Sequence, residues 1–238
     1  MASTSETGHA KNIANLQTLI EINTGFAAAY NPGNKLLTLT SMQAKHDSSK
    51  ALQKNVNTQK GIFEPVQNAR TAEFKDVDKL ARRIRTAAKT SGAGPGFYKD
   101  VDTIITKILG ERAEKAKPTE DDPSGTSASQ TSFDNMVNHW DALASMLAGE
   151  TKYVVNEADL SVAGVTAKAA ALDKTNNDVK KAAPPYNNAI IARNKDMYSE
   201  ETGLCAIGQG SKDYIRQVFG FSSPEFRQVT KLQFKVVK

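Results

Sequence analysis

The sequence is poor in cysteine, tryptophan, histidine and long apolar runs. Its 238 residues include one cysteine, one tryptophan and three histidines. A lone cysteine cannot form a disulfide within the chain, which excludes a disulfide-stabilised scaffold and fits a reducing compartment. No run reaches the roughly 20 apolar residues of a membrane-spanning helix. The polar start, MASTSETGHAKN, lacks the apolar segment of a secretory signal. We therefore expect a cytoplasmic protein without a membrane span.

Motifs that carry catalytic or metal chemistry are also missing. The chain has no HExxH zinc motif, no paired CxxC motifs and no GxSxG nucleophile motif. The glycine-rich segment 92–96 follows a predicted helix and lacks the Gly-Lys-Ser/Thr of a phosphate-binding loop, so we interpret it as a turn. We predict no catalytic residue, no cofactor site and no metal site, and a protein that is not an enzyme.

Four isolated side chains with chemical potential are interpreted as structural. His9 has a glutamate three residues before it, but no second Glu-x-x-His motif could complete a metal site. His46 lies on an apolar stripe and His139 precedes Trp140, where packing is the commoner role. Cys205 lies on an apolar stretch, which predicts a buried, unreactive thiol.

Apolar side chains recur three and four residues apart along most of the chain, which is the period of an α-helix. In the first half these positions are Leu39, Met42, Leu52, Val56, Phe63, Val66, Phe74, Val77, Leu80, Ile84 and Ala88. The only β-branched cluster outside the predicted helices is Val236-Val237, which is too short to form a sheet. The predicted fold class is all-α.

Glycine and proline predict where these helices end. A proline inside a helix removes a hydrogen bond and clashes with the preceding turn, so Gly61 and Pro65 predict a break. A single kinked helix is the alternative. Pro184-Pro185 predicts a similar break in the second half. The predicted helices are 12–26, 34–61, 64–91, 101–109, 132–148, 157–183, 186–210 and 211–220, with a final turn at 224–232.

The second half of the chain repeats landmarks of the first half in the same order. Pairs separated by 123 positions are Tyr30 and Tyr153, Leu37 and Leu160, Lys45 and Lys168, Val56 and Val179, Arg70 and Arg193, and Glu73 and Asp196. The predicted helix breaks, Gly61 with Pro65 in the first half and Pro184-Pro185 in the second, also lie at matching positions. Because the period is far longer than that of solenoid repeats, the pattern predicts a duplicated domain.

Residues 111–131 separate the two predicted copies. This stretch, ERAEKAKPTEDDPSGTSASQT, contains no large apolar residue, which is typical of a solvated linker. We predict a first helical domain at 1–110 and a second at 132–238. Each is expected to be an up-down bundle of about four helices.

Four stretches of the sequence are similar to those of a known group of proteins. They are TGHAKNIANLQTLIE, AAAYNPGN, ARNKDMYSEETGL and YIRQVFGFSSPEFRQV. Together they resemble a group of uncharacterised bacterial proteins of about this length, all-helical and internally duplicated. The resemblance extends from Thr7 to the last lysine. It implies a bacterial setting, and it assigns no activity, cofactor or residue role.

Positive charge is concentrated in the first half of the chain. Residues 1–117 hold 18 Lys and Arg against 11 Asp and Glu, a net charge of +7, whereas residues 118–238 hold 13 against 15, a net charge of −2. The basic side chains in the predicted helix 64–91 that form our candidate surface are Lys79, Arg82, Arg83, Arg85 and Lys89. Such an imbalance suits either a polyanion or head-to-tail contact between copies of the chain.

Two functions follow from this combination of features. The first is a non-enzymatic structural or self-assembling protein, a homo-oligomer or filament subunit whose partner is another copy of itself. The alternative is a polyanion-binding or nucleic-acid-binding module that uses the five basic residues. Aromatic residues, which single-strand binders place among their cations, are missing nearby. Self-assembly is therefore the preferred hypothesis.

Overall fold

The structure of the protein is a computed structural model that describes residues 8–111 and 131–237. These residues contain helices and no strand, which confirms the all-α prediction. The α-helices are α1 (His9–Gly25), α2 (Leu39–Phe74), α3 (Val77–Thr90), α4 (Pro95–Ile108), α5 (Phe133–Ala148), α6 (Val162–Tyr198), α7 (Leu204–Phe219) and α8 (Pro224–Thr230).

Helix α2 continues through Gly61 and Pro65, so the predicted separation into helices 34–61 and 64–91 is wrong. Pro65 is exposed, and the Gly61 carbonyl that loses its helical hydrogen bond is free to bind water. The break comes later, after Phe74, where a two-residue turn leads into α3. The alternative of a single helix holds at Gly61 and Pro65, but that helix ends at Phe74 and does not extend to residue 91.

Helix α6 likewise continues through Pro184-Pro185, both of which are exposed. The break lies instead before Gly203, where an added Cβ would be 2.5 Å from the carbonyl oxygen of Ser199. Only glycine permits this approach of one backbone segment to another. The predicted helices 186–210 and 211–220 are thus replaced by the end of α6 and the single helix α7.

The chain forms two compact units. Unit 1 comprises Met1–Ile62 with Ala183–Lys238, and unit 2 comprises Phe63–Ala182. Each unit combines elements from both halves of the chain, which differs from the predicted domains 1–110 and 132–238. Apart from its two end residues, the predicted linker 111–131 lies outside the described residues.

The core of unit 1 receives equal numbers of buried side chains from the two halves of the chain. They are Ile13, Leu16, Leu19, Ile20, Tyr30 and Met42 from the first half, and Met197, Leu204, Ile207, Ile215, Phe226 and Val229 from the second. Burial of a large apolar side chain stabilises a protein by about 1.5–3 kcal/mol. Neither half of the chain can therefore build this core alone.

The core of unit 2 is also shared. The first half supplies Val77, Ala81, Ile84, Ala88, Val101, Ile105 and Ile108, and the second half supplies Met136, Trp140, Leu143, Ala144, Leu147, Tyr153, Leu160, Val165, Ala169 and Leu172. Helices α3, α4 and α5 pack side by side around these residues. Trp140 is fully buried, in agreement with the packing role predicted for it.

The connections that precede α2 and α6 have the same hydrogen bonds. The Tyr30 hydroxyl donates to the Leu37 carbonyl at 2.8 Å, and the Tyr153 hydroxyl donates to the Leu160 carbonyl at 2.8 Å. The first turn of each long helix repeats this agreement, because the bonds from Met42 N to Thr38 O and from Val165 N to Ser161 O are both 2.9 Å long. Each residue of the first connection lies 123 positions before its counterpart in the second.

Ion pairs between α2 and α6 are reciprocal. In unit 1, Lys45 of α2 lies 2.9 Å from Asp196 of α6. In unit 2, Lys168 of α6 lies 2.7 Å from Glu73 of α2. Lys168 is displaced by 123 positions from Lys45, and Asp196 by the same number from Glu73. Each helix therefore provides the lysine in one unit and the carboxylate in the other.

Candidate functional site

The predicted cationic surface lies on α3, and four of its five cations contact carboxylates. Arg85 binds two of them, with Nε 2.8 Å from Asp102 Oδ1 and Nη2 3.1 Å from Glu111 Oε2. The remaining pairs are Arg82 with Glu111, Arg83 with Asp159, and Lys79 with Asp76. Asp102, Glu111 and Asp159 are brought to α3 by the fold, whereas Asp76 directly precedes this helix and lies three residues from Lys79.

These contacts reduce the positive potential of α3. Hydrogen bonding from Arg85, assisted by the charges of Arg85 and Arg82, lowers the pKa of Glu111, so its carboxylate is charged at neutral pH. Of the five predicted cations, Lys89 alone has no acidic partner within the described part of the chain. The structure thus brings the five residues onto one helix and neutralises four of them.

Charge is nevertheless uneven between the two compact units. The sequence of unit 1 holds 14 Lys and Arg against 8 Asp and Glu, a net charge of +6. The sequence of unit 2 holds 17 against 18, a net charge of −1. The positive excess therefore belongs to unit 1, although the predicted cationic surface lies in unit 2.

Unit 1 exposes an apolar corner where α7 meets α8. Phe221 is 74% exposed and Val218 is 44% exposed. The Phe221 ring lies 5.7 Å, centroid to centroid, from that of Phe226, whose side chain is buried in the core. We call Val218, Phe221 and Phe226 the apolar corner. Exposed apolar groups that lie together are characteristic of sites of protein contact.

Two of the three histidines that the sequence interprets as structural, His9 and His46, have hydrogen-bond partners, whereas Nε2 of His139 is buried without one among the described residues. Nδ1 of His9 lies 2.6 Å from the hydroxyl oxygen of Tyr198, and burial, together with the Arg193 charge, lowers the pKa of His9. Nδ1 of His46 lies 2.9 Å from Asp47 Oδ1. Within residues 8–111 and 131–237, no group of three metal-ligating side chains could hold an ion. No helix there is long and apolar enough to span a bilayer.

Cys205 should be almost unreactive in the folded protein. Burial raises the pKa of its thiol to about 11, against an ordinary value of 9.0, so little of the reactive thiolate is present at neutral pH. We expect alkylation by iodoacetamide at pH 8 to be roughly a hundredfold slower than for an unperturbed thiol, and to accelerate as pH approaches 11. Mass spectrometry of the alkylated protein measures this rate. Equal rates in native buffer and in urea would contradict it.

Unit 1 contains a segment whose contacts the sequence does not predict. After α8 the chain continues without regular secondary structure over residues 232–237, which we call the arm. Asn12 and Asn15 of α1 bind its backbone, with Nδ2 of each 2.7 Å from the carbonyl oxygens of Lys235 and Gln233, respectively. In the sequence these asparagines are only polar interruptions of an amphipathic helix, and no local pattern indicates their partner.

Comparison with known proteins identifies no relative of this chain. No protein-family model, characterised protein or solved structure matches the chain.

Proposed function

We propose that the protein is a non-enzymatic, self-assembling helical protein whose partner is a second copy of the same chain. The observation that carries the proposal is the apolar corner. Phe221 and Val218, three positions apart in sequence, are both exposed, which costs free energy in water, and covering them stabilises a contact. Aromatic side chains of this kind commonly dominate the free energy of protein contacts.

Charge favours a second copy as the partner of the apolar corner. The corner belongs to unit 1, which has a net charge of +6. Arg227 is near the corner in sequence, and so is Arg216, which is paired with Asp213 at 3.3 Å. Unit 2 has a loop between α5 and α6 with three carboxylates, of which Asp159 is paired with Arg83, and one lysine. Val154 of this loop is 75% exposed. We infer that this acidic loop of one copy covers the basic, apolar corner of the next, a head-to-tail contact.

We also propose that the chain arose by duplication of one helical unit, as the sequence predicts. The hydrogen bonds that recur at a displacement of 123 support this origin, and so do the reciprocal pairs Lys45–Asp196 and Lys168–Glu73. In a symmetric dimer, a contact from residue i to j is matched by one from j to i. The two halves of this chain are related as the partners of such a dimer would be.

Replacing Phe221 with serine should weaken self-association about tenfold or more, since loss of an aromatic anchor removes at least about 1.4 kcal/mol. Association of the unaltered protein should also weaken as salt rises from 50 to 500 mM, because opposite charges attract across the contact. Light scattering over a concentration series measures both effects.

Ile191→Ser is the matched control for this experiment. Ile191 is 63% exposed on α6 and lies outside the apolar corner. Its replacement removes a similar exposed apolar group and should leave association unchanged. A protein that stays monomeric at high concentration and low salt refutes self-assembly, and equal weakening by both substitutions refutes the role of the corner.

Polyanion binding by Lys79, Arg82, Arg83, Arg85 and Lys89 has weaker support. Four of these cations contact carboxylates, which a phosphate backbone would have to displace. Salt-sensitive retention of DNA or RNA in a filter-binding assay would favour this alternative instead.

A further inference from the structure

The arm is held through its backbone by two asparagines on one face of α1. Asn12 makes two hydrogen bonds to Lys235: its Nδ2 donates to the carbonyl at 2.7 Å, and its Oδ1 accepts from the backbone N–H at 3.1 Å. Asn15 donates to the carbonyl of Gln233 at 2.7 Å. Alternate residues of an extended chain face the same side, and residues three apart share a face of a helix. The spacing of the asparagines thus matches an extended backbone.

The side chain between these two contacts fills a notch in α7. Phe234 packs against the core of unit 1, and its ring lies over Gly208. A Cβ added to Gly208 would be 2.5 Å from the end of that ring. Glycine is therefore required for the ring to reach its position. Helices α1 and α7 pack against each other, so the asparagines and the notch form one groove.

The start of the arm is fixed by a buried lysine. Nζ of Lys212 lies 2.6 Å from the carbonyl oxygen of Leu232 and 3.4 Å from that of Thr230, where α8 ends. Beyond this point only Phe234 is anchored among apolar groups, whereas Gln233, Lys235 and Val236 are exposed. The arm is therefore a short segment that could leave the groove without opening the rest of the core.

Among the described residues of unit 2, the groove has no counterpart. If the two halves are related by duplication, Asn12 and Asn15 correspond to Met136 and His139 at a displacement of 124. Gly208 corresponds to Ala81 at a displacement of 127, and both positions are buried. In unit 2, the helix that corresponds to α8 is α4, and it continues as a helix to Ile108 instead of ending in an arm. The asparagines, the glycine notch and the arm thus occur together in unit 1, and the part of unit 2 that the structure describes lacks this combination.

We propose that this groove binds the arm of a second copy of the chain, so that exchanged arms link the copies. The proposal rests on self-assembly as the function and names a contact through which it occurs. A neighbouring copy presents the same backbone spacing and the same phenylalanine, so every contact that the arm makes within its own chain can be made between chains. Only the backbone near Lys231 has to adopt a different conformation, so that the arm leads to the groove of another chain. No new surface is needed.

A complementation experiment on the full-length protein tests arm exchange. Gly208→Val fills the notch and leaves a chain with an intact arm and no working groove. Phe234→Ala leaves a chain with an intact groove and no anchored arm. When the two are mixed, the tagged Gly208→Val chain should capture the Phe234→Ala chain in a one-to-one ratio. A chain with both substitutions is the matched control. With Phe221→Ser in every chain, so that contact through the apolar corner is weakened, capture of this control should be at least tenfold lower.

A second groove variant keeps the test valid if the Gly208→Val chain misfolds. Asn12→Leu with Asn15→Leu removes the backbone contacts and leaves the glycine notch open, and it should capture the Phe234→Ala chain in the same way. Circular dichroism of each variant establishes that it is folded. Equal capture of the Phe234→Ala chain and the double-substituted control, by both tagged groove variants, would overturn arm exchange.

The outcomes separate arm exchange from the proposed function. If the unaltered protein assembles but capture does not depend on the groove, self-assembly stands and arm exchange fails. If capture depends on the groove while the unaltered protein is monomeric at every concentration, the groove accepts an arm from another chain and self-assembly as the function fails. Capture that depends on the groove, together with assembly of the unaltered protein, supports both.

Discussion

Two chains that carry residues 1–121 and 122–238, expressed together, should purify as a one-to-one complex as helical as the intact protein. The reason is that each core takes its side chains from both fragments. In unit 1 the first half provides six of the buried residues and the second half provides the other six. A tag on one fragment, followed by gel filtration and circular dichroism, measures the association.

Each fragment expressed alone should fail to fold. Loss of six large buried side chains removes about 9–18 kcal/mol of burial free energy, which is comparable to the whole 5–15 kcal/mol that typically stabilises a folded domain. The predicted domains 1–110 and 132–238 imply the opposite result, namely two fragments that fold separately. Two separate, monomeric and helical fragments would therefore show that the halves are independent domains.

The class of the fold could be predicted from the sequence, but the helix boundaries could not. The three-and-four spacing from Leu39 to Ala88 reports correctly that one face of the chain packs as a helix. The penalty for a proline, in contrast, depends on its surroundings. Pro65 is exposed, and its helix continues because water can satisfy the carbonyl that loses its partner.

The pairing of the two halves is also invisible in the sequence pattern. An apolar stripe has the same spacing whether its helix packs within its own half or against the other half. Glu73 and Asp196 match in the sequence, yet their lysine partners, Lys168 and Lys45, come from the opposite copies. A self-comparison of the sequence detects the similarity of the halves and carries no information on this exchange.

The candidate sites depend on contacts between distant residues for the same reason. The basic run on α3 is evident in the sequence, but its neutralisation by Asp159 is not, since 76 positions separate Arg83 from that carboxylate. The arm is more distant still. Asn12 contacts Lys235 across 223 positions, and an asparagine inside an amphipathic helix indicates no particular partner. Both features require the folded structure.

Gly164→Ala should destabilise the protein by about 3 kcal/mol. This value is at the upper end of the usual cost of overpacking, because the added methyl group meets backbone atoms. Gly164 lies in the first turn of α6, where its N–H donates to the Ser161 hydroxyl at 3.1 Å. A Cβ there would be 2.1 Å from the carbonyl oxygen of Ala158 and 3.0 Å from Cα of Asp159. Neither backbone atom can move aside as a flexible side chain would.

Gly61→Ala is the matched control, because the same methyl group is added inside a long helix where nothing lies within 4 Å. Alanine loses less conformational freedom than glycine in a helix, so this substitution should stabilise the protein by about 0.5–1 kcal/mol. Urea denaturation followed by circular dichroism measures both changes. Since the substitutions are chemically identical, opposite signs would establish that the close approach at Gly164 holds in solution. A Gly164→Ala protein as stable as the unaltered chain would mean that the connection before α6 is not packed against its first turn.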